Sequence, residues 1–108
     1  MAKIRKKRVR WNSSSDSNIT GYKLYWAVGR KVSYESDFAE VGKVTEVVLP
    51  DDVLAFPLVA GDIELGITSL NKIGNESDIT SLCAHLDFTV PEPPADLAVE
   101  TTVEYHIA

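Results

Sequence analysis

Two stretches of this sequence alternate between apolar and polar side chains with a period of two. In Ile19-Thr20-Gly21-Tyr22-Lys23-Leu24-Tyr25-Trp26, the residues Tyr22, Leu24 and Trp26 fall on one face of an extended chain, with Lys23 and Tyr25 on the other. Farther on, Ile63, Leu65, Ile67 and Ser69 repeat in the same way until Asn71 and Gly74 mark a turn. An antiparallel sheet needs such two-sided strands when it packs on a second sheet and meets water on its other face. Helical periodicity is absent throughout, so the reading is all-β.

The remaining elements follow from the same pattern. A first strand is expected over Ile4 to Trp11, with Val9 and Trp11 inward, and a polar loop over Asn12 to Asn18, whose side chains compete for local backbone hydrogen bonds. The next strand continues to about Val28 and ends in a Gly29-Arg30-Lys31 turn. A shorter edge strand then begins at Val32-Ser33-Tyr34 and reaches toward Phe38 to Val41. Thr45, Val47 and Leu49 alternate as a further inward face, which Pro50 terminates because proline has no N–H to donate to a ladder. The loop from Val53 to Asp62 is unusually apolar, and Phe56 or Leu58 is expected to tuck under the lower end. Strands over Ile63 to Leu70 and Asp78 to about Phe88 follow. The core predicted on this basis is Trp11, Tyr22, Leu24, Trp26, Val47, Leu49, Leu65 and Ile67.

In their order and spacing, Trp11, the Ile-x-Gly-Tyr-x-Leu-x-Trp run ending at Trp26 and the Asn-x-x-Gly-x-x-Ser hairpin from Asn71 to Ser77 resemble strands B, C and F–G of a fibronectin type III domain. The resemblance covers roughly Val9 to Phe88. It implies a β-sandwich of two antiparallel sheets with about seven strands. Two departures accompany it. Ile63 stands where many such domains carry a tyrosine at the start of strand F. The proline-led strand A expected a dozen or more residues before Trp11 is not found there, and a similar stretch, Pro91-Glu92-Pro93-Pro94-Ala95-Asp96-Leu97-Ala98-Val99-Glu100, lies at the other end. Beyond it, Leu97, Val99, Thr101, Val103, Tyr105 and Ile107 share one face. The organisation expected is therefore a core over residues 1–88 (strands B to G). Residues 89–108 would form a proline-rich connection and a terminal strand that replaces strand A, on its own sandwich or exchanged with a neighbour's as a homodimer.

Length and composition narrow the picture. At 108 residues the chain suits one domain, and with 44% apolar and 25% charged residues it is neither disordered nor built to span a membrane. The basic start lacks the apolar core of a signal peptide, so a cytoplasmic location is the default expectation. Cys83 is alone and is expected as a small buried core residue. Asn12, Asn18 and Asn75 head Asn-x-Ser/Thr triplets, which without an export signal read as coincidental.

Charge is segregated although the net charge is only −5. Six of the eleven basic residues lie between Lys3 and Arg10, and none follows Lys72. A basic end suggests nucleic acid or an anionic surface, with Lys6, Arg8 and Arg10 as the patch. The more economical reading is structural: these three face outward on the first strand and meet Glu46 on one side and the outward Glu100 and Glu104 of the terminal strand on the other. Cys83 and His85 share a strand face, but a metal centre needs further ligands and a nucleophile needs an orienting group, so neither a metal nor a cofactor is expected.

The expected function is accordingly a non-enzymatic protein-interaction or spacer module. In the family that the chain resembles, the loops Asn12 to Asn18 and Asn71 to Ser77 share one end of the sandwich, and related domains often bind through that end. The candidate binding residues are Asn12, Ser14, Asp16, Asn18, Asn71, Lys72 and Asn75, with an unidentified protein as partner. The alternatives are nucleic-acid or anionic-surface binding through the basic strand, and an accessory domain of a larger extracellular protein.

Overall fold

A computed structural model describes residues 2–107; Met1 and Ala108, the outermost residues of the expected core and tail, lie outside the described residues. Strands form where alternation finds a partner. β1 (Lys7–Arg10) pairs antiparallel with β4 (Glu46–Leu49), in the register Lys7 to Leu49 and Arg10 to Glu46. β2 (Ile19–Val28), β3 (Asp37–Gly42), β5 (Ala60–Asn71) and β6 (Thr80–Asp87) build a four-stranded antiparallel sheet in the order β3-β2-β5-β6. Six strands are present among the described residues, one fewer than expected.

The two sheets face each other across one apolar core. Leu24 and Trp26 of β2, Ile63 and Leu65 of β5 and Leu86 of β6 meet Val47 and Leu49 of β4 there. The lower end is closed by Phe56, packed between Trp26 at 5.4 Å and Phe88 at 6.0 Å between ring centroids, while Leu58 stays exposed. At the opposite, upper end, Asn12 to Asn18 and Asn71 to Ser77 connect the strands. β1 runs upward from Lys7 and β6 runs downward from Thr80, so the tail leaves from the lower end.

Several expectations are corrected. The first strand is four residues long, not the eight from Ile4 to Trp11, because its partner stops at Pro50, which offers no further donor. Trp11 N still donates to Thr45 O at 3.0 Å, but Trp11 and Val9 are only half-buried, as is Ile67. Thr45 precedes β4 and is exposed. Val32 to Tyr34 is not a strand: Ser33 and Ser36 close a turn, with Ser36 N donating to Ser33 O at 3.0 Å and Ser33 N to Ser36 Oγ at 2.9 Å. Cys83 is exposed rather than buried, since even-numbered residues of β6 face the core.

The outer face of β2 is not simply polar. Tyr25 is 1% exposed, covered by Tyr34 edge-on at 6.1 Å and by its cross-strand neighbour Phe38 at 5.6 Å. Beside it, Gly66 of β5 leaves room for Ile79 and Val32; a Cβ built there would lie 2.6 Å from Ile79 Cγ2 and 3.0 Å from Val32 Cγ2.

The tail takes a separate course within the single chain. Residues 89–107 carry no strand and do not return to β1. Leu97 and Val99 are fully exposed, and Val103, Tyr105 and Ile107 nearly so. The chain continues away from the sheets, giving extents of 83 × 30 × 18 Å. Three prolines in the connection favour this extended course.

Candidate functional site

The two upper loops are held from within. Asp16 Oδ1 accepts from Asn18 N at 2.8 Å, Ser14 Oγ accepts from Asp16 N at 3.2 Å, and Tyr22 Oη accepts from Ser14 N at 3.0 Å. In the β5–β6 hairpin, Asn71 Oδ1 accepts from Ile73 N at 3.2 Å and Asn75 N at 2.9 Å, an arrangement in which an asparagine substitutes for backbone turn bonds. Gly74 completes that turn with a φ of 86°, which a β-carbon disfavours. Ser69 N and Ser77 Oγ then lock the stem at 2.9 Å.

The loops converge. Ser14, Asp16, Asn71 and Asn75 line one shallow polar cleft of about 250 Å³, together with Ile19 and Ser77. Asn12 and Ser14 line an adjoining depression with Tyr22 and Asp78. Asn18 and Lys72 are exposed and lie in neither lining. Asn71 spends its side-chain oxygen, and Asp16 one of its two, on turn geometry, whereas the side chains of Asn12, Asn18, Lys72 and Asn75 are not committed to these turn bonds.

Two features at this end escape the sequence reading. Ile73 sits at the hairpin tip, 80% exposed, between Lys72 and Gly74. Below it, Glu76 turns inward and ties the hairpin to the sheet: Thr68 Oγ1 donates to Glu76 Oε2 at 2.6 Å, Tyr25 Oη donates to the same oxygen, and Lys23 Nζ lies 3.4 Å from Oε1. Tyr34 Oη adds a bond to Ser77 O at 2.8 Å. Lys23 also lies 4.3 Å above the centroid of the Phe38 ring, within cation–π range.

This arrangement sets the local electrostatics. Burial alone would raise the Glu76 carboxyl, but the hydrogen bonds from Thr68 and Tyr25 and the Lys23 ammonium outweigh it and hold the group below its ordinary range. Burial, followed by the Glu76 carboxylate, pushes the Tyr25 phenol well above its usual value. The only hint in the sequence was that Lys23 and Tyr25 share a face; the pairing of Lys23 with Thr68 comes from the fold.

The basic strand is partly neutralised by its neighbours. Arg8 Nε lies 3.1 Å from Glu46, the flanking contact expected of that residue, and Lys6 pairs with Asp51. The hydrogen bond and charge of Asp51 raise the Lys6 ammonium above its ordinary value. Arg10 lines an apolar cleft between β1 and β6. The expected contacts of this strand with Glu100 and Glu104 are not formed within the chain, because the tail lies elsewhere. Cys83 and His85 do share a face, but His85 Nδ1 pairs with Asp62 Oδ1 at 3.0 Å, and no group of three or more His, Cys, Asp or Glu side chains poised for a metal occurs among the described residues. No helix among the described residues is long and apolar enough to cross a membrane. Comparison of the chain with protein-family models, curated proteins and solved structures finds no match.

Proposed function

We propose that this chain is a fibronectin type III-like, non-enzymatic interaction module that recognises a protein through its upper end. The observation that carries the reading is the convergence of two internally braced loops around one cleft, with the exposed Ile73 at the tip of one of them. Binding is cheapest on a surface whose backbone is already ordered, because little conformational entropy remains to be lost. Asp16, Asn71 and Glu76 supply that order, and the tip supplies an apolar anchor beside a cation and an amide. The order of the larger sheet, facing a smaller one made of the first and fourth strands, also supports the family reading. A second copy of the chain is among the partners this function admits.

Nucleic-acid or anionic-surface binding is disfavoured, since Lys6 and Arg8 already face carboxylates. The reading is tested with a photoreactive residue placed at position 73 and, in a separate protein, at Leu54, which is even more exposed at the lower end. Crosslinks to one discrete protein from position 73 and none from position 54 are expected. Equal labelling from both positions overturns the proposal.

A further inference from the structure

Among the described residues, β1 has a strand on one side only. Its partner β4 fills one edge, and on the other side an open apolar cleft of about 90 Å³ separates it from β6. The cleft is walled by Val9, Trp11, Leu24, Leu65, Ile67 and Leu82. Here the core is left partly uncovered: Val9, Trp11 and Ile67 are half-buried, and Leu82 is 58% exposed. An unpaired edge above an uncovered apolar floor is the geometry that accepts an added strand.

The chain also carries a strand without a sheet. From Leu97 to Ile107 the tail alternates as an antiparallel strand would, yet its apolar face stands in water. Its polar face holds Glu100 and Glu104, whereas the free edge of the cleft is flanked by Arg10. The apolar faces match and the charges are opposite.

Chain direction decides which copy receives the tail. A strand antiparallel to β1 must descend through the cleft from the upper end. The tail leaves its own domain at the lower end, below Asp87. To enter its own cleft in that sense it would reverse twice and climb the height of β6, about 23 Å at 3.3 Å per residue. Residues 89–96 span at most roughly 26–29 Å when fully extended, and three of them are proline, so only about 3–6 Å would remain for two reversals, less than two residues of chain. A copy stacked below presents its upper end to the descending tail, and no reversal is needed.

The geometry points to donation of residues 97–107 into the β1–β6 cleft of a second copy, antiparallel to its β1. The contact is heterologous, so it propagates head to tail instead of closing as a two-fold dimer. It goes beyond the loop-binding function, and the tail and cleft variants that test it leave both upper loops unchanged.

Full-length protein is followed by light scattering and sedimentation over a wide concentration range. Mass should rise progressively with concentration, and more weakly at high salt. Val99→Asp with Val103→Asp, both fully or largely exposed in the single chain, should keep the fold and raise the concentration needed for association at least tenfold. Leu82→Arg, at the mouth of the cleft, should do the same. Mixing these two variants is the decisive step: an intact cleft then meets an intact tail, and a one-to-one complex should form although each variant alone stays monomeric. Wild-type protein that remains monomeric at every concentration overturns the proposal, as does association that survives both variants. A dimer that grows no further overturns the head-to-tail geometry. Monomeric protein with slowly exchanging tail amides overturns donation in trans in favour of self-docking.

Discussion

β5 and the tail have almost the same hydrophobic pattern and opposite fates. Ile63 and Leu65 are essentially inaccessible to solvent, whereas Leu97 and Val99, with the same spacing, are fully exposed. The difference is not local propensity, because both segments are rich in β-branched and leucine side chains. It lies in the neighbours. β5 pairs with β2 along nine residues and with β6 along eight, while the tail has no ladder on either side. Alternation therefore specifies which residues share a face, and pairing decides whether that face is buried.

The most severe way to break this comparison is to empty the buried side. Trp26→Ala removes a ring packed on Phe56 and should destabilise the fold by about 3–5 kcal/mol in urea unfolding. Val99→Ala in the dilute monomer should change stability by less than about 0.5 kcal/mol. Similar losses at the two positions would mean that the tail is packed in solution.

Filling space in β5 probes the same contrast from the other direction. Gly66→Ala places a methyl group against Ile79 and Val32, and overpacking of this kind costs about 1–3 kcal/mol. Unchanged thermal stability would show that Ile79 swings aside freely.

Glu76→Gln tests the bracing of the hairpin, with a loss of about 1–3 kcal/mol at neutral pH from three weakened partners. The pH dependence has a definite sign. The folded carboxyl titrates below its unfolded value of about 4.3, so its contribution is complete above that value and is lost as pH falls through the lower folded one. The wild-type advantage over Glu76→Gln should shrink across that acid window and stay constant between pH 6 and 8. An advantage that grows on acidification would reverse the assignment.

The smallest effect belongs to the surface pair of Arg8 and Glu46. Both side chains are more than half exposed, and Arg8→Ala should cost at most about 1 kcal/mol and less in high salt.

The sequence made the second and fifth strands legible because their apolar positions are separated cleanly by parity. The inward set at Tyr22, Leu24, Trp26, Val47, Leu49 and Leu65 follows from parity alone. Burial of Tyr25 was not legible, since it depends on Tyr34 and Phe38 arriving from another element to cover it. Cys83 was misjudged for a related reason: its parity on β6 is set by Leu86 and Phe88, and an isolated cysteine carries no phase of its own. The loop residues were identifiable as polar turns, but nothing in their types separates Asn71, which builds the turn, from Asn75, which is presented by it. The role of Glu76 needed the fold, because Thr68, Tyr25 and Lys23 reach it from two strands.

The hairpin from Asn71 to Ser77 divides its labour between stem and tip. The conformation is fixed by the Asn71 side chain, Gly74, Glu76 and Ser77, whereas the side chains of Lys72, Ile73 and Asn75 form none of these bonds. Shape and message are thus written in different letters. The three tip positions are free to drift, or to be randomised in a library, without the backbone losing its path. A population of such variants would share one scaffold while differing in what they touch, so new specificities could be reached by single steps that never pass through an unfolded intermediate.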